Sequence, residues 1–146
     1  MIEASEILTI LPHRYPFTMV DRILEMEDDK YAVGIKNVTL NEPYFQGHYP
    51  GRPTMPGVMI AESMAQVGGI MLMAGKRDQE LIPYLAAINS FRLKAPVYPG
   101  DTMKIKVEMI GGKGKIGKVK GTATVDGKLV ARGEMSFALV PAQEVK

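Results

Sequence analysis

Two side chains in this sequence have the types and the setting needed for acid–base chemistry. Glu62 is the one charged residue between Arg52 and Lys76, inside a long apolar run. His48 is one of only two histidines and lies in the Gly- and Pro-rich segment before that run. Desolvation raises the pKa of a carboxyl group, so a carboxyl in an apolar helix is a suitable general acid near neutral pH. The two residues form a candidate acid/base pair, either within one subunit or across two.

Two further positions would assist such a pair. Gln66 lies one helical turn after Glu62 on the same face, where its amide is expected to hydrogen-bond the carboxyl or hold a water. Gly57 falls in the first turn of the predicted helix, where backbone N–H groups lack intrahelical partners and carry the positive end of the dipole. Such a donor stabilises a developing enolate oxygen, and the missing Cβ lets a substrate approach. These parts suit proton abstraction next to a carbonyl.

The composition limits the class of protein. At 146 residues, 46% apolar and 23% charged, the chain is predicted to form one soluble globular domain over 1–146. A net charge of +2 is too small to indicate nucleic acid binding. The absence of cysteine excludes disulfides, thiolate metal sites and a cysteine nucleophile, and two distant histidines make a metal site unfavourable.

No signal peptide or membrane span is expected. Glu3 and Glu6 lie where a basic n-region would be, and no apolar h-region follows. The apolar stretch 58–75 contains Glu62 and Gln66, both of which are costly in lipid. We therefore expect a buried helix in a cytoplasmic protein.

The pattern along the chain predicts an α+β fold. A short helix is expected over 3–11, with Ser5 as N-cap, and a long one from about 54–56 to 74, with Gly75 as C-cap candidate. Strands are predicted over 17–26, 31–38, 82–93, 102–110, 116–125 and 129–140. Asp126-Gly127 between the last two strands is a strong hairpin signal.

The helix glycines indicate how these elements pack. Gly68 and Gly69 each cost about 1 kcal/mol relative to alanine inside a helix. That cost suggests close approach of another backbone, such as an antiparallel sheet of about six strands curled round the helix. The open edges of such a sheet favour pairing with a second copy.

Two other features are interpreted as structural. The segment GKGKIGKV resembles a phosphate-binding loop, but Val119 stands where a Ser or Thr must bind magnesium, and the segment joins two strands. Its lysines are expected in a solvated hairpin. His13, in LPHRYPF, has no acidic partner nearby in sequence and is interpreted as structural.

Three segments together resemble a known family. They are LPHRYPFTMVDRI, NVTLNEPYFQGHYPGRPTMPGVMIAESMAQVGG and APVYPGD. The chain is similar over nearly its whole length to the 3-hydroxyacyl-(acyl-carrier-protein) dehydratases of type II fatty acid synthesis, the broad-specificity form with a hot-dog fold. The middle segment is the most specific of the three.

The resemblance implies roles for the candidate residues. His48 and Glu62 are the expected catalytic pair, Gly57 donates its N–H to the thioester carbonyl, and Gln66 helps position Glu62 or its water. The related dehydratase–isomerase carries aspartate at the Glu62 position, so Glu62 favours the dehydratase without isomerase activity. The implied reaction is reversible dehydration of (3R)-3-hydroxyacyl-carrier protein to the trans-2-enoyl thioester.

The resemblance also implies partners. No metal or redox cofactor is expected, because the phosphopantetheine arm belongs to the acyl carrier protein. A homodimer that shares its active sites is expected, with three dimers forming a hexamer. Candidates for the acyl tunnel are Ile60, Met64 and Met71. Candidates for docking the acidic carrier protein are Arg92, Lys94, Lys76 and Arg77.

Two alternatives stay open. A hot-dog acyl thioesterase would share the fold and use a carboxylate to activate water, although it lacks the GHYPGRPTMPG block. A non-catalytic module that binds the acyl chain or the carrier protein would have no need of both His48 and Glu62.

Overall fold

A computed structural model describes residues 1–146 and consists of one six-stranded antiparallel sheet around one long helix. The strand order is β1-β2-β4-β5-β6-β3. This confirms the predicted α+β hot-dog architecture. The elements are α1 (Ala4–Ile7), β1 (Arg22–Glu27), β2 (Tyr31–Asn37), α2 (Gly57–Met73), β3 (Leu81–Leu93), β4 (Thr102–Lys113), β5 (Ile116–Val125) and β6 (Lys128–Pro141), with 3₁₀ turns at Pro43–Gln46, Ala74–Gln79 and Ala142–Glu144.

The sheet fits closely against α2 because small residues line its inner face. A Cβ added at Gly121 of β5 would lie 3.0 Å from the Met64 side chain, and one at Gly117 would lie 3.1 Å from Leu72. Thirteen of the helix residues are buried, so the sheet encloses most of α2. Burial of this helix supplies much of the core, because removing apolar surface from water is the main favourable term in folding.

The helix glycines also permit close contacts, but with side chains rather than with backbone. A Cβ at Gly68 would lie 3.2 Å from the Phe137 ring. A Cβ at Gly69 would lie 3.3 Å from Leu11 and 3.4 Å from Pro83. The predicted close approach to Gly68 and Gly69 is therefore present. The prediction that another backbone makes it was wrong, because side chains do.

Three predicted boundaries differ from the structure. The first strand begins at Arg22 rather than at residue 17, because the Gln66 side chain takes the place of a neighbouring strand beside the backbone of 17–19. The first helix begins after Glu3, without the predicted Ser5 cap. The long helix continues as a 3₁₀ turn past Gly75, and the left-handed residue that ends it is Glu80.

Local turn signals were more dependable. Asp126 and Gly127 have φ values of 50° and 78°, as the predicted two-residue hairpin requires. The rejected phosphate-loop segment joins β4 to β5 through a tight turn at Gly114. Both predictions are confirmed.

The two edges of the sheet are not equivalent. Ile2 forms a bridge to Ile23 and covers part of the β1 edge. The 13-residue β3 pairs only with β6, so its other edge has no partner in this chain. Tyr84 and Ile88 of β3 are exposed apolar side chains. An edge of this length and character is a surface for pairing with another chain.

The segment Gly57–Gln79 is long and apolar enough to cross a membrane by composition alone. In the structure, 72% of its most apolar window is buried inside the protein, as expected of a core helix.

A buried ion pair holds the segment that leads to His48. The Lys36 ammonium of β2 points to the core side and donates a hydrogen bond to the half-buried Glu42 carboxylate. Glu42 precedes the 3₁₀ turn Pro43–Gln46, and the His48 N–H donates to the carbonyl oxygen of Tyr44 in that turn. The pair therefore fixes the start of the loop that contains His48 to the sheet.

We expect Glu42→Gln to destabilise the protein by about 3 kcal/mol, because it leaves the Lys36 ammonium buried without a counter-charge. Urea unfolding followed by circular dichroism measures the change. The double variant Lys36→Met/Glu42→Met should recover most of the loss, since neither charge remains. Glu6→Gln is the matched control, because its partner Arg77 is solvent-exposed and such pairs contribute less than about 1 kcal/mol. Equal losses in Glu42→Gln and Glu6→Gln would contradict the assignment.

Candidate active site

Glu62 lies on α2 with one carboxylate oxygen already engaged. Gln66, one turn later, donates from Nε2 to Glu62 Oε1 at 3.0 Å. The Gln66 amide is buried and also donates to the carbonyl oxygen of Phe17 at 2.7 Å, while its Oε1 accepts the N–H of Met19 at 2.8 Å. The amide is thereby fixed by backbone from outside the helix, and it fixes Glu62 in turn.

The carboxyl group of Glu62 borders a pocket of about 220 Å³ with a largely apolar wall. The pocket lies between α2, the N-terminal segment, and strands β3 and β6. Small residues on the helix side, Ala65 and Gly69, leave room for it. Its other walls are formed by Leu11, Pro12, His13, Ile82, Pro83, Tyr84, Leu85 and Phe137.

The predicted tunnel residues lie elsewhere. At about 100° per residue, Ile60, Met64 and Met71 lie on the side of α2 opposite Glu62. All three are buried, and none of them lines the pocket. Met64 packs against Gly121 of β5, which is a core contact with the sheet. The face of the helix that borders the pocket is that of Glu62, Ala65 and Gly69 instead.

His48 is held in a definite tautomer by its own loop. Its Nδ1 is 2.7 Å from the carbonyl oxygen of Thr54, and the Thr54 N–H donates back to the His48 carbonyl oxygen at 3.0 Å. A carbonyl oxygen can only accept, so Nδ1 carries the hydrogen. In the neutral ring, Nε2 then carries a lone pair, as a general base requires.

Within this chain His48 and Glu62 belong to different surroundings. His48 contacts Thr54 and stacks on Tyr49 with ring centroids 4.0 Å apart. Glu62 contacts Gln66 and His13, and the pocket that it borders does not include His48. The chain therefore presents the candidate base and the candidate acid as separate half-sites.

Gly57 is the first residue of α2, as predicted. Pro56 precedes it, and the carbonyl oxygen of Pro56 accepts the N–H groups of Met59 and Ile60. The N–H of Gly57 is thus a first-turn donor with no partner in its own helix. A Cβ at Gly57 would lie 2.3 Å from Leu93 Cδ1, so the end of β3 closes over this position.

The four docking candidates separate into two pairs. Arg92 and Lys94 lie at the end of β3 beside Leu93, are exposed, and form no ion pair. Lys76 pairs with Asp29, and Arg77 pairs with Glu6, each at 2.9 Å. The second pair follows the C-terminal end of α2, about 24 Å along the helix from Gly57.

Sequence reasoning missed the surroundings of His13. Its Nε2 lies 3.6 Å from Glu62 Oε1, so it has an acidic neighbour that its position in the sequence does not reveal. Burial lowers the pKa of His13, the Glu62 carboxylate partly offsets this by raising it, and nearby Arg14 lowers it further. The one signal in the sequence was its place between Pro12 and Pro16 in a segment rich in apolar and aromatic residues.

A roomier depression on the outer face of the sheet is not the site. It has a volume of about 460 Å³ and contains Lys106, Glu108, Lys120, Arg132 and Glu134, with no apolar residue in its walls. None of the candidate catalytic residues borders it.

Known proteins with similar sequences belong to the family that the sequence resembles. Residues 11–134 match the model of the FabA-like domain family. The chain is 52% identical over 139 residues to the 3-hydroxyacyl-[acyl-carrier-protein] dehydratase FabZ of Caldicellulosiruptor saccharolyticus, with 95% of this chain and 99% of that protein covered. It is 49% identical over 146 residues to the FabZ of Thermomicrobium roseum, with 100% of this chain and 98% of that protein covered.

Solved structures with low sequence identity share the fold. The dehydratase heterocomplex ApeI:P from Xenorhabdus doucetiae aligns with a TM-score of 0.80 at 19% identity, covering 95% of this chain and 93% of that one. A hypothetical thioesterase with coenzyme A from Streptococcus pneumoniae aligns with a TM-score of 0.62 at 14% identity, covering 82% of this chain and 85% of that one. With the sequence match spanning nearly every residue, this chain belongs to the FabA-like family and, within it, to the FabZ 3-hydroxyacyl-[acyl-carrier-protein] dehydratases.

Proposed function

We propose that this protein reversibly dehydrates (3R)-3-hydroxyacyl thioesters on acyl carrier protein to trans-2-enoyl thioesters during fatty acid elongation. The observation that carries the proposal is the Glu62 carboxyl group, fixed by Gln66 at the border of an apolar pocket. The pocket takes the acyl chain against Leu11, Pro83 and Phe137. Glu62, at the position where the dehydratase–isomerase has aspartate, supports dehydration without isomerisation.

The proposed mechanism moves two protons and breaks one C–O bond. His48 Nε2 removes a proton from C2 while the Gly57 N–H stabilises the negative charge that develops on the thioester oxygen. The electrons of the C2–H bond form the C2=C3 double bond. Protonated Glu62 gives its proton to the departing 3-hydroxyl group, which leaves as water. The reaction is redox-neutral, and the Gly57 N–H and Glu62 supply the charge stabilisation and the proton, so we propose that it needs no redox cofactor and no metal ion.

The proposed active site is shared within a homodimer, with His48 from one subunit and Glu62 from the other. The separate half-sites of the single chain and the unpaired β3 edge support this arrangement. We further propose that three such dimers form a hexamer, and that the protein works in the cytoplasm, where a carrier protein delivers its substrate.

We expect Glu62→Gln to lower kcat at least a hundredfold with little change in KM, because glutamine has no acidic proton to donate. The amide keeps an oxygen that accepts the Gln66 N–H, so the local structure is preserved. Absorbance of the conjugated enoyl group, with 3-hydroxybutyryl and crotonoyl thioesters, measures turnover in both directions. Glu134→Gln, on the outer face of the sheet, is the matched control. A Glu62→Gln rate within a few-fold of the wild type would contradict the role of proton donor.

The same assay on the wild-type protein separates the function classes. Thioester loss without interconversion would favour a thioesterase, and no turnover by the wild type would favour a binding module.

Co-expression of two inactive variants tests the shared site. In a mixed dimer of His48→Ala and Glu62→Gln chains, one of the two sites contains both native residues. Random pairing should restore about a quarter of the wild-type specific activity, because half of the dimers are mixed and each has one intact site. Each variant expressed alone is the control and should stay inactive. A site contained within one chain would give no recovery.

Charge reversal tests carrier-protein docking. The exposed, unpaired Arg92 and Lys94 lie next to the Leu93–Gly57 contact, so Arg92→Glu/Lys94→Glu should raise KM for the carrier-bound substrate about tenfold or more at low salt. The same variant should retain its kinetics on a pantetheine thioester, which needs no docking surface. Lys76→Glu/Arg77→Glu is the comparison at the far end of α2 and should have the smaller effect. Unchanged carrier affinity and unchanged salt dependence in Arg92→Glu/Lys94→Glu would rule out that surface.

A further inference from the structure

His13 is a half-buried, titratable side chain that the proposed mechanism does not use. It borders the same pocket as Glu62, with Nε2 3.6 Å from Glu62 Oε1. The ring stacks against Phe17, and Arg14 holds the surrounding backbone by donating to the carbonyl oxygens of Leu8, Leu11 and His13. The ring is therefore held in place by its own segment.

The surroundings of the ring select its tautomer. His13 Nδ1 is buried and has no hydrogen-bond partner. A hydrogen on Nδ1 would be a buried donor without an acceptor, whereas a hydrogen on Nε2 faces a carboxyl oxygen. The ionisable groups near the ring are Glu62 of α2, the neighbouring Arg14, and Tyr84 of β3, which borders the same pocket. Burial holds the pKa of His13 below its ordinary value, so the ring is neutral near pH 7.

We propose that His13 is a positioning residue for Glu62. The Nε2–H of His13, together with the Gln66 amide, keeps the acidic proton of Glu62 on Oε2. Gln66 already donates to Oε1 at 3.0 Å, and Oε2 accepts no hydrogen bond within the chain. An oxygen that faces two N–H donors is a poor place for a proton, so the proton resides on the other oxygen. A movement of about 0.5 Å would bring the His13 contact to hydrogen-bond length, and such contacts commonly tighten when substrate binds.

This placement matters for the direction of proton transfer. A proton on Oε2 is available to the 3-hydroxyl group that leaves as water. A proton on Oε1 would face two N–H groups, and it would have to move before the C–O bond could break. The inference rests on the proposed role of Glu62, and its test is designed to fail separately from that role.

Two substitutions separate hydrogen bonding from packing. His13→Phe keeps the ring and its stacking on Phe17 but has no donor, and His13→Gln places an amide N–H near the Nε2 position. We expect His13→Phe to lower kcat about tenfold with KM nearly unchanged, and His13→Gln to recover most of the loss.

Because an N–H donor to a carboxylate favours its ionised form, His13→Phe should also move the alkaline limb of the pH–kcat profile to higher pH. Equal losses in both variants, or an unmoved alkaline limb, would overturn the proposal. If Glu62→Gln has lost activity while both His13 variants keep wild-type kinetics, the inference fails and the proposed function stands.

A direct measurement needs no turnover. The chain has only two histidines, so ¹⁵N-labelled histidine gives two imidazole spin systems, and His13→Phe assigns them. We expect the neutral Nε2–H tautomer for His13, and the neutral Nδ1–H tautomer for His48, which serves as the internal reference. A neutral Nδ1–H tautomer at His13 would overturn the proposal, because the Nε2–H donor would then be absent.

Discussion

The amide of Gln66 is the interaction on which the site depends. It is buried, and its oxygen and nitrogen connect three partners: the backbone of Phe17, the backbone of Met19, and the Glu62 carboxylate. A buried amide left without partners costs about 1–3 kcal/mol for each unsatisfied group. The segment before β1 is therefore bound to the helix rather than to a neighbouring strand. Because Gln66 binds the backbone at Phe17 and Met19, β1 begins only at Arg22, and the preceding residues bring His13 to the pocket.

The local patterns in the sequence predicted the elements well, because each depends on neighbouring residues. The central helix, the six strands and the Asp126-Gly127 hairpin all follow from periodicity and turn chemistry. The roles proposed for His48 and Glu62 rest on their setting in the sequence and on the family resemblance. A single sequence does not reveal which residues far apart along the chain come into contact in the fold. His13 and Glu62 lie 49 positions apart, and the Gln66 contacts with Phe17 and Met19 help bring the His13 segment to α2.

The orientation of α2 is a second lesson. Methionines seemed natural for an adaptable acyl tunnel, yet Met64 and Met71 fill the core against the sheet. The residues that indicate where the pocket lies are on the same face of the helix as Glu62. Ala65 and Gly69, three and seven positions later, are small where a cavity is needed. A charged residue in an apolar helix marks the side where the core is interrupted, and small residues on that side indicate the room that a ligand requires.

The two histidines show how neighbouring groups decide what one residue type does. His48 donates from Nδ1 to a backbone carbonyl oxygen, which leaves a lone pair on Nε2 for proton abstraction. His13 has no partner at Nδ1 and a carboxylate near Nε2, which favours the opposite tautomer. A ring with its hydrogen on Nε2 is a donor toward the pocket, so His13 is poorly suited to replace His48 as base. The two imidazoles therefore favour opposite tautomers. One ring borders a backbone carbonyl oxygen, which can only accept a hydrogen bond, and the other borders the Glu62 carboxyl group.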